Sequence, residues 1–348
     1  MNLEQLGWKE SFGDKDQQTV VARVISEQRQ IYKLHDGINE MNGEVSGKFH
    51  FQAKVKSDFP SVGDWVVIEP LEGENKAIIQ KILPRFSQFS RQSAGDKTEE
   101  QVVAANIDFV FLVMALNNDF NIRRLERYLL VAYDSGASPI IVLTKKDLCE
   151  NLTERMAEVE EIAFGVPIYT VNSTNGEGIE AINNFLTVGT TVSLLGSSGV
   201  GKSTLLNALI GEEKQATQVV REGDDRGKHT TTHRELFFLP TGGMVIDTPG
   251  MRELQLWGGE EHISSTFSDV DELAKLCKFS DCTHEREPGC AVKQAIENGE
   301  LDSQRLSSYR KLMRELAYAE RKQDASLARI EKDKWKKVSK MMNTKSYK

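Results

Sequence analysis

The chain has 348 residues, of which 28% are charged and 39% are hydrophobic, and its formal net charge is −8. This composition is typical of globular proteins with two or three domains, and no apolar run approaches the roughly 20 residues that a membrane-spanning helix needs. The N-terminal sequence MNLEQLGWKESFGDK lacks the apolar segment of a secretory signal. We therefore expect a cytoplasmic protein with no membrane segment.

Charge is distributed unevenly along the chain. Residues 321–348 contain ten Lys or Arg and three acidic residues, a net charge of +7, so the other 320 residues sum to −15. The overall negative charge argues weakly against nucleic-acid binding, whereas the basic segment predicts local contact with phosphate groups. A solvated charged helix fits this segment too.

Residues 1–85 are predicted to form a small β-barrel domain. Short apolar runs separated by turn residues such as Asp36-Gly37 and Asn42-Gly43 are typical of strands. The predicted strands are Thr19–Ile25, Phe49–Val55, Trp65–Glu69 and Lys76–Ile82. Several strands in about 70 residues suit a barrel of the OB type, and an SH3-like barrel or a small sandwich fits nearly as well.

Residues 86–258 are predicted to form an α/β domain that begins with a polar linker over residues 86–106. Strands that alternate with helices indicate a parallel sheet covered on both faces. The predicted strands are Ile107–Ala115, Pro139–Leu143, Val166–Val171, Thr191–Leu195, Glu235–Leu239 and Gly243–Asp247, and the predicted helices are Ile122–Ser135, Leu152–Phe164, Ile179–Leu186 and Lys202–Ile210. Residues 259–348 are predicted to be mostly helical around a Cys/His cluster.

A phosphate-binding loop follows the strand Thr191–Leu195, where the chain matches G-x-x-x-x-G-K-S/T. In this motif, glycines let successive N–H groups face the phosphates, and the lysine reaches the β- and γ-phosphates. Lys202 is therefore a predicted catalytic residue, and the Ser203 hydroxyl is a predicted Mg²⁺ ligand. The predicted nucleotide-binding residues here are Gly196, Ser197, Ser198, Gly199, Val200, Gly201, Lys202, Ser203 and Thr204.

Two further segments indicate a magnesium site and a nucleotide-sensitive switch. Asp247-Thr248-Pro249-Gly250 ends an apolar strand, so Asp247 is predicted to hold Mg²⁺ through water and Gly250 to offer its N–H to the γ-phosphate. Thr230, Thr231 and Thr232 lie in a polar stretch between the two motifs. We assign Thr231 as the hydroxyl that completes the Mg²⁺ shell when triphosphate is bound.

The P-loop alone does not distinguish GTP from ATP, but the sequence Thr144-Lys145-Lys146-Asp147 resembles the guanine-recognition motif N-K-x-D. A carboxylate at Asp147 accepts two hydrogen bonds from guanine, and adenine lacks that donor pair. Ser173, which lies after the next strand, is predicted to belong to the loop that supports the guanine O6. A capped turn after a strand is the alternative for the first motif, and a P-loop ATPase or kinase is the alternative for the domain.

The residue that orients the attacking water is not given by the usual motif. Many GTPases place glutamine directly after D-x-x-G, but this chain has Met251 there, which cannot orient water. His229, beside the threonines, is our candidate for this catalytic role, and His233 is a weaker one. An exposed loop histidine, with hydrolysis completed by a partner, is the alternative.

Four residues near the C-terminal end are predicted to hold one structural Zn²⁺. The sequence Cys277-x4-Cys282-x-His284-x5-Cys290 offers three thiolates and one imidazole, a set that suits a closed tetrahedral site. Unconnected buried cysteines are the alternative interpretation.

The order of the motifs indicates a circular permutation. In Ras-like GTPases the P-loop comes first, whereas here the base-recognition segments precede the P-loop, the threonines and the D-x-x-G segment. The same sheet is expected, because reconnecting its strands keeps the core contacts. The permutation leaves the D-x-x-G segment leading directly into the C-terminal region.

Together these residues resemble the ribosome small-subunit-dependent GTPases, the family called RsgA, YjeQ or YloQ. The resemblance extends to VGDWV at Val62–Val66, to TEEQVVAANID at Thr98–Asp108, to GKHTTTHREL at Gly227–Leu236, to DTPGMREL at Asp247–Leu254 and to the basic C-terminal end. It implies an OB-fold, a permuted GTPase domain that uses Mg²⁺ with GTP, and a zinc-binding C-terminal domain. It also implies a monomer that matures the 30S subunit, contacts 16S rRNA and is stimulated by that subunit. A nucleotide-gated RNA-binding module with incidental hydrolysis is the competing hypothesis.

Overall fold

The structure, a computed structural model, describes residues 1–13, 19–28, 31–92, 100–211, 234–247, 266–285 and 287–317. The chain divides into two compact units, the first made of Met1–Arg91 with Gln101–Gln255 and the second of Gln92–Glu100 with Leu256–Lys348. The first unit thus contains both the predicted barrel and the predicted α/β domain, and the three predicted domain boundaries stay a prediction.

A closed five-stranded barrel forms the N-terminal part of the chain. Its elements are β1 (Val20–Gln28), β2 (Ile31–His35), β3 (Glu40–Val45), α1 (Gly47–Gln52), β4 (Trp65–Pro70) and β5 (Lys76–Ile82). The strands pair in the order β1-β2-β3-β5-β4, and β4 closes the barrel on β1. Only β3 and β5 pair in parallel among these strands. This arrangement confirms the OB-like barrel.

The barrel also corrects the predicted strands. The predicted strand Phe49–Val55 is wrong, because this segment contains helix α1, whose first turn is capped by the Ser46 hydroxyl accepting from the Phe49 N–H at 3.1 Å. Strands β2 and β3 were not predicted. The predicted turn Asn42-Gly43 lies within β3, where a Cβ on Gly43 would come within 2.5 Å of the Leu34 side chain. The glycine there makes room for a neighbouring side chain.

The central sheet confirms the predicted α/β domain. Its strands are β8 (Phe109–Ala115), β9 (Ser138–Thr144), β10 (Ile168–Thr170), β11 (Thr191–Leu195), β12 (Arg234–Phe238) and β13 (Met244–Asp247), and its helices are α2 (Ile122–Ser135), α3 (Leu152–Ile162), α4 (Ile179–Asn183) and α5 (Lys202–Ile210). The spatial order is β10-β9-β8-β11-β13-β12, and all pairings except that of β12 with β13 are parallel. The carboxyl ends of five parallel strands therefore share one edge.

The predicted linker over residues 86–106 is instead partly β-structure. It contains β6 (Gln88–Gln92) and β7 (Glu100–Ala105), which pair as a two-stranded sheet. Phe89 and the end of β7 from Val102 to Ala105 are buried. The linker was predicted from the average polarity of residues 86–106, and in that average the polar residues between the two strands outweigh the buried apolar ones.

The barrel and the central sheet are joined by backbone pairing and by a buried arginine. Strand β1 pairs with β12 at Ser26–Glu235 and Glu27–Arg234, and Arg234 forms an ion pair with Glu27 at 2.9 Å. Fully buried Arg23 donates to the carbonyl oxygens of Leu6, Gly63 and Asn106. Burial lowers the pKa of Arg23 to about 10, and these carbonyls offset part of the desolvation cost of its charge.

The second unit contains three described helices: α6 (Ser268–Lys275), α7 (Ala291–Glu297) and α8, which is helical over residues 303–317. Its buried apolar residues are Phe267, Val270, Val292, Ala295, Leu301, Leu306, Leu312 and Leu316. Arg305 pairs with Asp269 and lies over the Phe267 ring, 4.8 Å from its centroid. None of the described helices is long and apolar enough to cross a membrane.

Candidate nucleotide and metal sites

The predicted phosphate loop connects the end of β11 to the start of α5 by a turn that requires glycine. Gly199 and Gly201 have φ values of +78° and +98°, in the left-handed region that favours glycine. A Cβ on Gly196 would come within 2.5 Å of the Val113 carbonyl oxygen in β8. The glycine spacing of the motif therefore follows from backbone shape and close packing. Ser198, Gly199 and Ser203 are exposed on this loop and first helical turn.

Lys202, the first residue of α5, folds back over the loop. Its Nζ donates to the carbonyl oxygens of Gly196 at 2.8 Å and Ser197 at 2.6 Å. The ammonium group thus lies across the concave side of the turn, where the predicted phosphates would be. Thr204 is half-buried in the same helical turn.

The predicted guanine loop meets the phosphate loop through one side chain. The Thr144 hydroxyl, at the end of β9, donates to the Val200 carbonyl oxygen at 2.5 Å. The Thr144 carbonyl accepts from the Leu116 N–H at 2.9 Å, which also ties it to the end of β8. The segment that precedes the P-loop by about fifty residues in the chain is thereby placed beside it, as the permuted order predicts.

The other residues of the guanine loop lie around this contact. Lys145 has a left-handed backbone with φ of +56°, which is uncommon for lysine. Lys146 forms an ion pair with Glu177. Asp147 is exposed in the short 3₁₀ turn that follows. The Ser173 hydroxyl oxygen is buried and has no hydrogen-bond partner within the described residues.

A polar network at Ser197 of the phosphate loop was not predicted from the sequence. The Ser197 hydroxyl donates to Asp119 Oδ2 at 2.9 Å, and Arg124 Nη1 donates to both of these oxygens at 2.9 Å. Asp119 lies in the loop after β8, and Arg124 lies in the first turn of α2. A signal was available, because the first turn of a helix favours acidic residues and this one has Arg123 and Arg124 with no acid.

Among the predicted magnesium ligands, Asp247 lies at the carboxyl end of β13. Strand β13 pairs in parallel with β11, so Asp247 and the start of the P-loop share one sheet edge. The remaining predicted residues of this part of the site, Thr230, Thr231, Thr232, His229, His233, Gly250 and Met251, lie outside the described residues.

The four predicted metal ligands come together in the second unit. The ligand atoms of Cys277, Cys282, His284 and Cys290 all lie within 4.8 Å of one another. The Cys277 Sγ lies 3.9 Å from the Cys290 Sγ, and His284 Nδ1 lies 3.6 Å and 3.5 Å from these sulfurs. A tetrahedral ion with metal–sulfur bonds of about 2.3 Å separates its ligands by roughly 3.8 Å. The cluster therefore fits one metal ion.

Burial and neighbouring groups shift the pKa values of several residues in this cluster. Burial raises the pKa of the Cys277 thiol, but hydrogen bonds from the N–H groups of Val292 and Ala291 and from Cys282 and Cys290 together outweigh this effect, and its pKa is lowered. Burial raises the pKa of the Cys282 thiol to about 11. Burial lowers the pKa of His284, and the charge of Arg310 adds to the shift, so its imidazole favours the neutral form that ligates metals. Arg310 also donates to the His284 carbonyl oxygen.

Comparison with known proteins gave consistent matches along the chain. The family profile described as RsgA GTPase matches residues 82–257, and one described as 50S ribosome-binding GTPase matches residues 191–340. The chain is 48% identical to "Small ribosomal subunit biogenesis GTPase RsgA 1" of Oceanobacillus iheyensis, covering 97% of this chain and 98% of that protein. It is 46% identical to "Small ribosomal subunit biogenesis GTPase RsgA" of Opitutus terrae, covering 97% and 96%.

Two solved structures match most of the fold. The crystal structure of YjeQ from Thermotoga maritima has a TM-score of 0.63 and 29% identity, covering 86% of this chain and 99% of that one. The crystal structure of YloQ, described as a circularly permuted GTPase, has a TM-score of 0.62 and 26% identity, covering 88% and 97%.

Proposed function

This chain belongs to the RsgA GTPase family and hydrolyses GTP, and from this premise we propose that it acts late in maturation of the 30S ribosomal subunit, which stimulates its hydrolysis. For the nucleotide site, the observation that carries the proposal is the hydrogen bond from Thr144 to Val200, because it supports one site built from the guanine loop and the phosphate loop. Relatives named for small ribosomal subunit biogenesis, which match this chain over nearly their full length, support the assignment of the subunit.

At the nucleotide site, we propose that Asp147 selects guanine and that Thr144, Lys145, Lys146 and Ser173 complete the base site. Residues 196–204 hold the phosphates, and the sheet edge shared by the start of the P-loop and Asp247 supports a Mg²⁺ ion held by Ser203, Thr231 and Asp247. Gly250 senses the γ-phosphate, and His229 orients the attacking water.

A surface of the barrel supports contact with 16S rRNA. In helix α1 the Phe51 side chain is 90% exposed, and the neighbouring Lys48, Lys54 and Lys56 are also exposed. An exposed ring beside several cations suits an unstacked base and its phosphates. The basic segment 321–348, whose net charge is +7, is proposed as a second contact. The protein is proposed to be a cytoplasmic monomer.

The metal of the second unit is proposed to be one structural Zn²⁺. Three thiols and one imidazole at tetrahedral spacing suit zinc and leave no open position for catalysis. The two helices beside the cluster, α6 and α7, have only eight and seven residues, so metal binding is expected to contribute to the folding free energy of this unit.

Single-turnover hydrolysis of GTP with and without purified 30S subunits tests the proposed function, with 50S subunits as the matched control. We expect 30S subunits to raise the rate by at least a hundredfold and 50S subunits to leave it unchanged. Co-sedimentation should show retention on 30S subunits with a non-hydrolysable GTP analogue and release with GDP.

Nucleotide-dependent retention without stimulation of hydrolysis would instead support the nucleotide-gated RNA-binding module. The absence of both effects would contradict the assignment to the 30S subunit.

A further inference from the structure

Ser197 of the phosphate loop forms a hydrogen-bond network with Asp119 and Arg124, which lie outside this loop in the chain. One hydroxyl group, that of Ser197, both donates to Asp119 and accepts from Arg124, and all three contacts of the triangle measure 2.9 Å. On the other side of the same residue, the Ser197 carbonyl accepts from Lys202 at 2.6 Å. Ser197 is thus fixed both through its side chain and through its backbone.

The network adds little to the stability of the fold, because its ion pair is partly exposed and its cation lies at the unfavourable end of a helix. Arg124 is the third residue of α2, where the helix dipole disfavours a cation. Its side chain is 30% exposed and that of Asp119 is 41% exposed, and such surface ion pairs add little to the free energy of unfolding. Residues that break a local rule without a stability gain are expected at functional sites.

The loop between β8 and α2, which carries Asp119, is ordered by local hydrogen bonds. Asn117 accepts from the Asp119 N–H at 3.1 Å through its side chain and from the Phe120 N–H at 2.9 Å through its carbonyl. Asn121 caps α2 by accepting from the Arg124 N–H at 2.9 Å. These bonds fix the backbones that carry both charged partners of Ser197 before any nucleotide binds.

We propose that Asp119 and Arg124 are positioning residues for the phosphate loop and act through the Ser197 hydroxyl. The inference rests on the proposed nucleotide site and adds two residues that the sequence motifs do not include. Because Asp119 already neutralises Arg124, the pair serves to hold Ser197, and with it Lys202, in the shape that receives the β- and γ-phosphates. The free energy of loop ordering is then supplied in the empty protein rather than at binding.

The test compares Ser197→Ala, Asp119→Asn and Arg124→Gln in the full chain, with GDP affinity, GTP KM and kcat measured for each. Each variant should weaken GDP binding and raise KM about tenfold, the loss expected for one charge-assisted hydrogen bond. The double variant Ser197→Ala/Arg124→Gln should bind GDP no more weakly than either single variant, because both substitutions remove the same hydrogen bond between Arg124 and Ser197. Arg124→Lys should restore part of the affinity.

The matched control is Arg155→Gln. Arg155 lies over the Phe120 ring of the same loop, 4.7 Å from its centroid, and pairs with Glu158, so this variant removes a cation that contacts the loop but leaves the hydrogen bonds of the loop and both partners of Ser197 in place. Its GDP affinity should equal that of the wild type. The thermal unfolding midpoint without nucleotide should be unchanged in all single variants.

Two results overturn the inference. If Arg124→Gln lowers kcat while Ser197→Ala leaves binding unchanged, Arg124 acts on the phosphates directly. If all three variants bind GDP like the wild type, the network is only structural. A wild-type protein that fails to bind GDP would refute the proposed nucleotide site itself, which distinguishes that failure from the failure of this inference.

Discussion

The Thr144 hydroxyl donates a hydrogen bond to the Val200 carbonyl oxygen at 2.5 Å and so joins two loops that lie about fifty residues apart in the chain. Thr144 occupies the place of the asparagine in the motif N-K-x-D, and its hydroxyl supplies one bond between base loop and phosphate loop. Val200 is buried, so its carbonyl depends on this protein donor rather than on water.

Replacing Thr144 by valine should therefore weaken nucleotide binding. The two side chains have nearly the same shape, but valine leaves the Val200 carbonyl without its donor, at a cost of about 1–3 kcal/mol. We expect GDP affinity, measured by calorimetry, to fall by about tenfold. Thr144→Ser keeps the hydroxyl and is the control. Equal GDP affinity of the valine variant and the wild type would contradict this role.

Asp147→Asn should change the base that the protein selects. An amide cannot accept both guanine donors, so the affinity for GDP should fall by about a hundredfold or more. The amide can donate to the additional carbonyl of xanthine, so xanthosine diphosphate should now bind better than GDP. Competition between the two diphosphates measures this change. Glu177→Gln, a neighbouring carboxylate paired with Lys146, should leave the selectivity unchanged.

Removal of one metal ligand should unfold the second unit locally. Cys282→Ser leaves three ligands, and if the proposed zinc is bound we expect its loss in elemental analysis together with faster amide hydrogen exchange over residues 266–285 and 287–317. Cys149→Ser is the matched control, because Cys149 is also half-buried but lies outside the cluster. Retention of one zinc per chain in the Cys282 variant would argue against its role as a ligand.

Motifs with a fixed chemical spacing were predicted well from the sequence. The strand before the P-loop, Thr191–Leu195, and the helix after it, Lys202–Ile210, have the predicted bounds, because the glycine turn sets both ends. The metal cluster was also predicted, since only a few residue types can ligate a metal. The bounds of helix α2, Ile122–Ser135, were also predicted correctly, from its helical periodicity. In the structure the Asn121 side chain caps the first turn, and Gly136 follows the last helical residue.

Features that depend on distant contacts were not predictable. Strand β3 contains Asn42-Gly43, a turn signal by local chemistry, which is overridden by the packing of Gly43 against Leu34. Likewise, Asp119 and Arg124 lie more than seventy residues before Ser197, and nothing local to either segment shows that they meet. In both cases the local structure is determined by residues that are distant in the sequence.

Gly63→Ala should strongly destabilise the first unit. Gly63 has φ of +92°, and a Cβ there would lie 2.0 Å from the Ala105 carbonyl oxygen. Gly73→Ala provides the control, because Gly73 has φ of +77° but nothing within 4 Å of the added Cβ. Both variants carry the left-handed backbone cost of about 1–2 kcal/mol, so their difference isolates the clash.

We expect Gly63→Ala to lower the free energy of unfolding by more than about 4 kcal/mol, measured by urea denaturation. If Gly63→Ala lowered the free energy of unfolding by no more than Gly73→Ala, this would mean that β7 can move away from the added Cβ without destabilising the unit.

Acid should destabilise the first unit partly through His35. Its Nδ1 accepts from the Gly37 N–H at 3.0 Å, so this nitrogen must be unprotonated in the folded state. Burial lowers the pKa of His35 below the usual 6.5 even though Glu40 and Asp36 oppose the shift. The unfolded chain therefore binds the proton more readily, and the stability contributed by His35 is present above pH 6.5 and is lost as the pH falls through the lower folded-state value.

His35→Asn removes this titration while keeping an acceptor near Gly37. Between pH 7 and pH 5, the free energy of unfolding should fall less steeply in this variant than in the wild type, and a pH series of urea denaturation curves measures the slopes. His50→Gln, which replaces an exposed histidine, should keep the wild-type slope. Because the other titrating groups are common to all three proteins, equal slopes in all three would show that His35 does not link folding to pH.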